Sequence, residues 1–159
     1  MLTRVTLPLV LCLVSLRLAV GQNRAVISAG SVISPDVRLE VEQVLRRQQE
    51  AWNRHDLEGF MTGYWSSPEL TFFSGAHETR GWKGALDRYR RTYQSEGKEM
   101  GKLEFSELRV EALGSDAAFV RGAWHLTMSD GTTPHGLFTL VFRKFPDGWK
   151  IVHDHTSAE

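Results

Sequence analysis

The fold is decided by residues 117–156, which read AAFVRGAWHLTMSDGTTPHGLFTLVFRKFPDGWKIVHDHT. Three segments rich in apolar, aromatic and β-branched residues alternate here with turns that contain an Asp-Gly pair. An Asp-Gly pair between two such segments is typical of a hairpin connection. The pattern therefore predicts three consecutive antiparallel strands, at residues 117–128, 136–145 and 149–156.

Upstream residues add two strands and three helices. Apolar side chains recur at three- and four-residue steps in the first and third helical segments. Ser34 followed by Pro35 is typical of a helix start, and Asp56 is typical of a helix cap. The predicted helices lie at residues 35–52, 57–65 and 81–93, and the additional strands at residues 70–73 and 103–113.

Helices followed by a strand meander predict the α+β class. We expect three N-terminal helices to pack on one face of a strongly curved antiparallel sheet. Such a cone-shaped fold would enclose a central cavity, which is where small molecules bind in proteins of this shape. The chain has five Trp, three Tyr and eight Phe residues with which to line it.

The composition excludes several other classes of protein. Lys and Arg together number 19, as do Asp and Glu, so the basic excess of a nucleic-acid binder is missing. The single cysteine, Cys12, excludes an internal disulfide framework and a cysteine-rich metal site. We therefore expect a small-molecule ligand and no nucleic acid.

The N-terminus has the pattern of an export signal. Residues 1–21 combine Arg4, an apolar run and the small residues Ala19 and Gly21, as in a secretory signal peptide. The alternative is an uncleaved N-terminal anchor. The pattern predicts a signal peptide at residues 1–21, a flexible leader at 22–34 and one domain at 35–157. The mature chain would be periplasmic or secreted, without stable membrane insertion.

Two motifs and their order carry a family resemblance. AWNRHDLE at residues 51–58 has the helix-break-helix form, and DGWKIVHDHTS at residues 147–157 has the form of the closing strand. With them the chain resembles the SnoaL-like families of the nuclear transport factor 2 superfamily over residues 36–157. The closing strand also resembles the calcium/calmodulin-dependent kinase II association domain and its bacterial relatives. The resemblance implies the cone-shaped fold.

The resemblance leaves the function open, because the superfamily contains ketosteroid isomerases, cyclases, dehydratases and association domains. We expect an exported domain that binds a small organic ligand in its cavity. The alternatives are a lyase, isomerase or cyclase, and an oligomerisation module. Ketosteroid isomerases use an Asp base in the cavity, whereas the strand predicted at residues 70–73 holds no carboxylate, which argues against that chemistry.

His153 and His155 are the candidate catalytic residues. Alternate strand residues share a face, so both would point the same way as Trp149 and Ile151, toward the helices. Two imidazoles at the cavity wall would suit proton transfer near neutral pH. The alternative is a pair of core or rim histidines. A metal site that includes His125 would lack a carboxylate or thiolate ligand, so we expect no metal and no other cofactor.

Arg121 and His125 share one face of the second long strand, and its two faces are similarly apolar. If their face is inward, Arg121 would bind a carboxylate or an enolate oxygen. If the Trp124 face is inward, both residues face solvent or a second subunit. The resemblance to the association domain favours the first arrangement.

The remaining predictions concern the cavity wall and the surface. Arg88, Arg90 and Arg91 are expected to form a solvated face of the third helix. We expect a homodimer, formed by an apolar outer face of the sheet at Val120, Trp124, Leu126 and Met128. The predicted ligand-binding residues are Trp52, Tyr64, Phe72, Tyr89, Tyr93, Arg121, His125 and Phe138.

Overall fold

The computed structural model describes residues 35–159. The predicted signal peptide and leader lie outside these residues. The helices and strands confirm the predicted α+β class. In chain order they are α1 (Pro35–Asn53), α2 (Leu57–Met61), β1 (Thr71–Ser74), β2 (His77–Arg80), α3 (Trp82–Tyr93), β3 (Lys102–Ala112), β4 (Ala117–Thr127), β5 (His135–Phe145) and β6 (Gly148–Thr156).

The strands form one sheet in the order β2-β1-β6-β5-β4-β3. All neighbouring strands are antiparallel except β1 and β6, which are parallel. The expectation of a wholly antiparallel sheet is therefore wrong at this one pairing. The sequence did not predict β2, because its residues, HETR, are all polar and give no apolar alternation.

The helices pack on one face of the sheet, here called the inner face, and leave the other, the outer face, uncovered by them. Val41 and Leu45 of α1 are fully buried. At the end of α1, the Trp52 indole donates a hydrogen bond to the Met100 carbonyl (3.0 Å). The Asn53 side chain accepts from the Leu103 amide (2.7 Å) and donates to its carbonyl (3.0 Å). These bonds fix the helix end against β3.

The second helix begins where the sequence predicts and ends earlier. The Asp56 carboxylate accepts a hydrogen bond from the Gly59 amide (2.8 Å), which confirms the cap. The helix stops at Met61 because the next residues join the sheet. The Ile151 amide donates to the Gly63 carbonyl (2.9 Å), and the Trp65 amide donates to the Ile151 carbonyl (2.9 Å). This attachment holds the intervening Tyr64 over the inner face.

A β-bulge in β6 determines which of its side chains face the helices. Val141 of β5 pairs with His153, and the next residue, Phe142, pairs with Ile151. Val152 is therefore an extra residue without a partner on β5. A bulge bends the strand and reverses the alternation of faces beyond it. As a result, Ile151 and Asp154 both point to the inner face, and both are buried.

No helix within residues 35–159 is long and apolar enough to cross a membrane.

Candidate functional site

A cavity of about 270 Å³ lies between the helices and the inner face of the sheet. Its wall is mostly aromatic and aliphatic, and a few polar side chains converge on it. The apolar and aromatic lining residues are Trp52, Phe60, Tyr64, Phe72, Tyr89, Tyr93, Leu103, Phe105, Trp124, Leu126, Phe138, Leu140 and Ala158. The polar lining residues are Ser74, Arg88, Thr92, Asp154, Thr156 and Ser157.

One carboxyl group is buried in this wall. Asp154 is only 4% exposed. The Tyr64 hydroxyl donates a hydrogen bond to its Oδ2 atom (2.7 Å), and the Tyr64 and Tyr89 hydroxyls lie 3.3 Å apart. The Oδ1 atom of Asp154 is buried and has no hydrogen-bond partner among the described residues. One carboxyl oxygen is thus held by Tyr64, and the other has no hydrogen-bond partner within residues 35–159.

The environment of Asp154 changes its acidity. Burial raises the pKa of this carboxyl to about 7, although the hydrogen bond from Tyr64 lowers it. Burial also raises the pKa of Tyr64 and of Tyr89 well above the ordinary value, so both phenols stay neutral. Near neutral pH the site therefore contains Asp154 in both its acidic and its basic form, beside two neutral hydroxyl groups.

Four separate parts of the chain meet at this carboxyl. The bulge in β6 turns Asp154 inward, and Phe72 of β1 is its partner in the parallel pairing. Tyr64 comes from the segment that follows α2, and Tyr89 comes from α3. The rings of Phe72 and Tyr89 meet edge to face at 5.5 Å. This packing holds the phenols and the carboxyl on a rigid frame.

The comparisons with known proteins identify the family. Residues 41–159 match the model of the SnoaL-like domain family. The chain belongs to this family. No match was found among curated proteins.

Solved structures agree with this assignment. An NTF-2 like protein of unknown function from Shewanella oneidensis is 36% identical, with a TM-score of 0.71 over 76% of this chain and 98% of that one. A nuclear transport factor 2 superfamily protein from Salmonella enterica is 24% identical, with a TM-score of 0.60 over 77% of this chain and 90% of the other. A ketosteroid isomerase-like protein from Erwinia carotovora is 20% identical, with a TM-score of 0.63 over 79% and 98%. The narrower resemblance to the kinase association domain stays a prediction.

The structure places His153 and His155 of this SnoaL-like domain on the outer face. The His153 ring lies beside the Thr71 hydroxyl (2.6 Å between Oγ1 and Nδ1), and His155 is exposed. Both rings meet the Phe73 ring edge to face, at 5.1 and 5.9 Å. The prediction that they lie at the inner wall is wrong, because the bulge at Val152 reverses the alternation that it assumed.

Arg121 and His125 also lie on the outer face. The Arg121 guanidinium lies over the Phe119 ring, and the His125 ring stacks on His135 with 5.7 Å between centroids. The arrangement favoured by the association-domain resemblance is therefore wrong, and the face with Trp124 is the inner one. Both faces of β4 are apolar, so the sequence pattern alone does not distinguish them.

The same finding corrects the predicted dimer face. Val120 and Leu126 are buried on the inner face, Trp124 lines the cavity, and Met128 packs against the core. None of these four residues belongs to the outer face.

The other predicted ligand-binding residues do surround the cavity, and their binding role stays a prediction. They are Trp52, Tyr64, Phe72, Tyr89, Tyr93 and Phe138. Asp154 was not among the predicted residues, because strict alternation with His153 and His155 would place it on the face opposite the helices. Arg88 was predicted on a solvated helix face, whereas it lines the cavity. A carboxyl within an otherwise apolar and histidine-rich closing strand was the one available signal for Asp154.

Proposed function

We propose that this domain binds a small organic molecule in its cavity and that Asp154 transfers a proton to or from it, as in an isomerase or lyase. The observation that carries the proposal is the arrangement of the Asp154 carboxyl. Tyr64 binds one oxygen, and the other lies buried without a protein partner within residues 35–159. Nearly all buried polar atoms in proteins are hydrogen-bonded, so an unpartnered one in a cavity wall favours a ligand there.

The size and lining of the cavity indicate the kind of molecule. At about 270 Å³ the cavity is slightly smaller than the pockets that bind drug-sized ligands. Its wall is aromatic and aliphatic over most of its surface, and its polar groups are few. These features favour a small molecule with a largely apolar ring or chain and few oxygen functions.

The pKa of Asp154 suits both directions of proton transfer. A general acid or base works best when its pKa lies near the working pH, and this carboxyl has a pKa of about 7. In its ionised form Oδ1 accepts a proton from carbon or oxygen, and in its protonated form the carboxyl returns one. The hydroxyl of Tyr89 is neutral and lies 3.3 Å from that of Tyr64, and by turning away from it Tyr89 would donate a hydrogen bond to a ligand oxygen that gains charge.

Asp154 would thus have the acid/base role that was predicted for His153 and His155. The lack of a carboxylate in the strand after α2 does not argue against isomerase chemistry, since the carboxyl in the cavity comes from β6. The name of the ketosteroid isomerase-like protein from Erwinia carotovora is consistent with such chemistry. Binding without catalysis is the alternative.

A deuterium-exchange experiment separates the two functions. 2-Tetralone is a small aromatic ketone whose C1 protons are acidic, and NMR in D₂O follows their exchange. Its binding is measured separately, by quenching of the fluorescence of Trp52 and Trp124 in the cavity wall. We expect the protein to bind 2-tetralone and to accelerate exchange at C1.

The matched variants are Asp154→Asn and Asp116→Asn. The first substitution keeps the shape of the side chain but removes the base, so exchange should fall by roughly 100-fold or more while binding persists. Asp116 is an exposed carboxylate in the turn before β4, and its replacement should change neither quantity. Binding without accelerated exchange would leave the protein as a binder, and equal acceleration by Asp154→Asn would show that Asp154 is not the base; either result would refute the catalytic proposal.

We further propose that the outer face of the sheet forms a homodimer. Leu137 on this face is 62% exposed, and a subunit interface there would bury this side chain. Sedimentation velocity should show a dimer for the wild-type chain and a monomer for Leu137→Glu. Leu113 is 55% exposed at the end of β3 and provides the control, since Leu113→Glu should remain dimeric. A monomeric wild-type chain at high concentration would refute this proposal.

A further inference from the structure

The Arg88 guanidinium lines the cavity without a counter-ion among the described residues. It lies over the Phe72 ring, 5.5 Å from the ring centroid, and the side chain is partly buried. No described carboxylate lies within ion-pair distance of it, and its guanidinium makes no hydrogen bond within residues 35–159. By contrast, Arg90 on the same helix pairs with Glu58 and Asp87. A partly desolvated cation without an anion is an incomplete arrangement.

Arg88 does not belong to the Asp154 cluster, although both side chains reach the same cavity. Phe72 pairs with Asp154 across the β1–β6 ladder, and Arg88 lies over Phe72 from the helix side. Burial raises the pKa of Asp154 and the hydrogen bond from Tyr64 lowers it. The guanidinium does influence the neighbouring phenols, since its charge lowers the pKa of Tyr89 and of Tyr93 against the larger effect of burial. The cavity thus offers two separate polar points with an aromatic ring between them.

We propose that the ligand of this cavity is a small organic acid whose carboxylate binds Arg88 while its oxygen-bearing end lies at Asp154. This inference rests on the proposed function and names its substrate class: a keto or hydroxy acid with a short apolar segment between the two groups. A guanidinium is suited to this role because it presents several N–H donors in a plane that matches a carboxylate. The hydroxyl group of Ser74, also in the lining, adds a donor near the cavity wall, whereas the Thr92 hydroxyl donates to the Arg88 carbonyl (3.0 Å).

The ring of Phe72 contributes to the selectivity. It holds the guanidinium by a cation–π contact in the absence of an anion, and this fixes its position before the ligand arrives. A neutral ligand gains nothing from this cation, whereas a carboxylate gains a charge-assisted hydrogen bond in a partly dry site. The cavity should therefore distinguish an acid from its amide even when the two molecules have the same shape.

The test compares 4-oxo-4-phenylbutanoate with its neutral amide by titration calorimetry at pH 7. The two probes share the ketone, the ring and the chain length, and differ in the charge of one end. We expect the wild-type protein to bind the acid roughly tenfold or more tightly than the amide. Arg88→Gln should remove this preference by weakening the acid alone. Arg88→Lys should restore part of it.

Arg91→Gln provides the matched control, since Arg91 is an exposed arginine on the same helix. It should keep the preference of the wild-type protein. Equal amide affinity in all variants would show that the Arg88→Gln cavity is intact. Equal binding of acid and amide by the wild-type protein, or a preference that survives Arg88→Gln, would overturn the assignment and leave the proposed proton transfer standing. Failure of both probes to bind any variant would overturn the assigned substrate class, whereas the proposed function is tested separately by binding and exchange of 2-tetralone.

Discussion

Replacing Asp154 with asparagine should make the protein more stable at neutral pH. The wild-type carboxyl is buried in an apolar wall, and its ionised form is disfavoured there. Asparagine has nearly the same shape, and its side-chain oxygen accepts the hydrogen bond that Tyr64 donates to Oδ2. The variant therefore keeps the main contact and loses the buried charge.

The pKa of Asp154 gives the sign and size of the effect. Burial raises this pKa from the ordinary value of 3.8 to about 7 in the folded chain. Below the pKa of this carboxyl in the unfolded chain, the group is protonated in both states and does not lower the free energy of unfolding. As the pH rises from about 4 to about 7, the unfolded chain releases its proton first, so folding is progressively disfavoured. At 1.36 kcal/mol per pH unit, the difference between these two pKa values lowers the free energy of unfolding by about 4 kcal/mol, and this loss is complete above pH 7.

Urea unfolding of both proteins, followed by tryptophan fluorescence from pH 4 to 8.5, would measure this effect. The informative quantity is the free energy of unfolding of Asp154→Asn minus that of the wild-type protein. It should rise by about 4 kcal/mol across the range. Burial lowers the pKa of His153, which makes stability rise with pH through the histidine range, but this contribution is common to both proteins and cancels. A difference that stays flat, or that falls with pH, would refute the argument.

Three further substitutions test other parts of the structure. Tyr64→Phe removes the hydrogen bond that lowers the pKa of Asp154, so the pH midpoint of 2-tetralone exchange should move to higher pH; an unchanged midpoint would contradict this role. Gly136→Ala places a methyl group against the Ser157 carbonyl oxygen and should lower the free energy of unfolding by about 1–3 kcal/mol. An unchanged melting temperature would show instead that the C-terminal segment moves to make room for the methyl group. Asn53→Ala removes both hydrogen bonds between the end of α1 and β3, and should cost about 1–3 kcal/mol in urea unfolding; a cost near zero would show that packing alone holds this junction.

The features of the fold that follow from local chemistry could be predicted from the sequence. The helix at Asp56 begins at a residue whose side chain satisfies a free amide, and this requires no knowledge of the rest of the chain. The long strands end at glycine-containing turns for a similar reason, since Gly131 and Gly148 both adopt positive φ. The pairing of β1 with β6 could not be predicted from the sequence, because it joins segments that are distant along the chain.

The candidate site was accessible only in part. The aromatic wall was predicted because the helices have one apolar stripe each, so residues such as Trp52 and Tyr89 have only one direction in which to be buried. The polar groups of the cavity were not predicted, because whether they reach it depends on which face of a strand is inward. On β4 both faces are apolar. On β6 the bulge occurs at Val152, and valine is common in regular strands, so it does not indicate a bulge. Only the pairing with β5 reveals the extra residue.

The bulge at Val152 has a consequence for how the chemistry of such a domain changes during evolution. Strand β6 carries one carboxyl between two imidazoles, and the bulge at Val152 determines which of these groups face the cavity. A strand that kept Val152 but lost the bulge would alternate regularly after Ile151, turn Asp154 to the outer face and point His153 and His155 into the cavity. A change of pairing at this point, with no residue gained or lost, would thus exchange an acidic group in the cavity for two imidazoles, while the helices and the other strands kept their sequence.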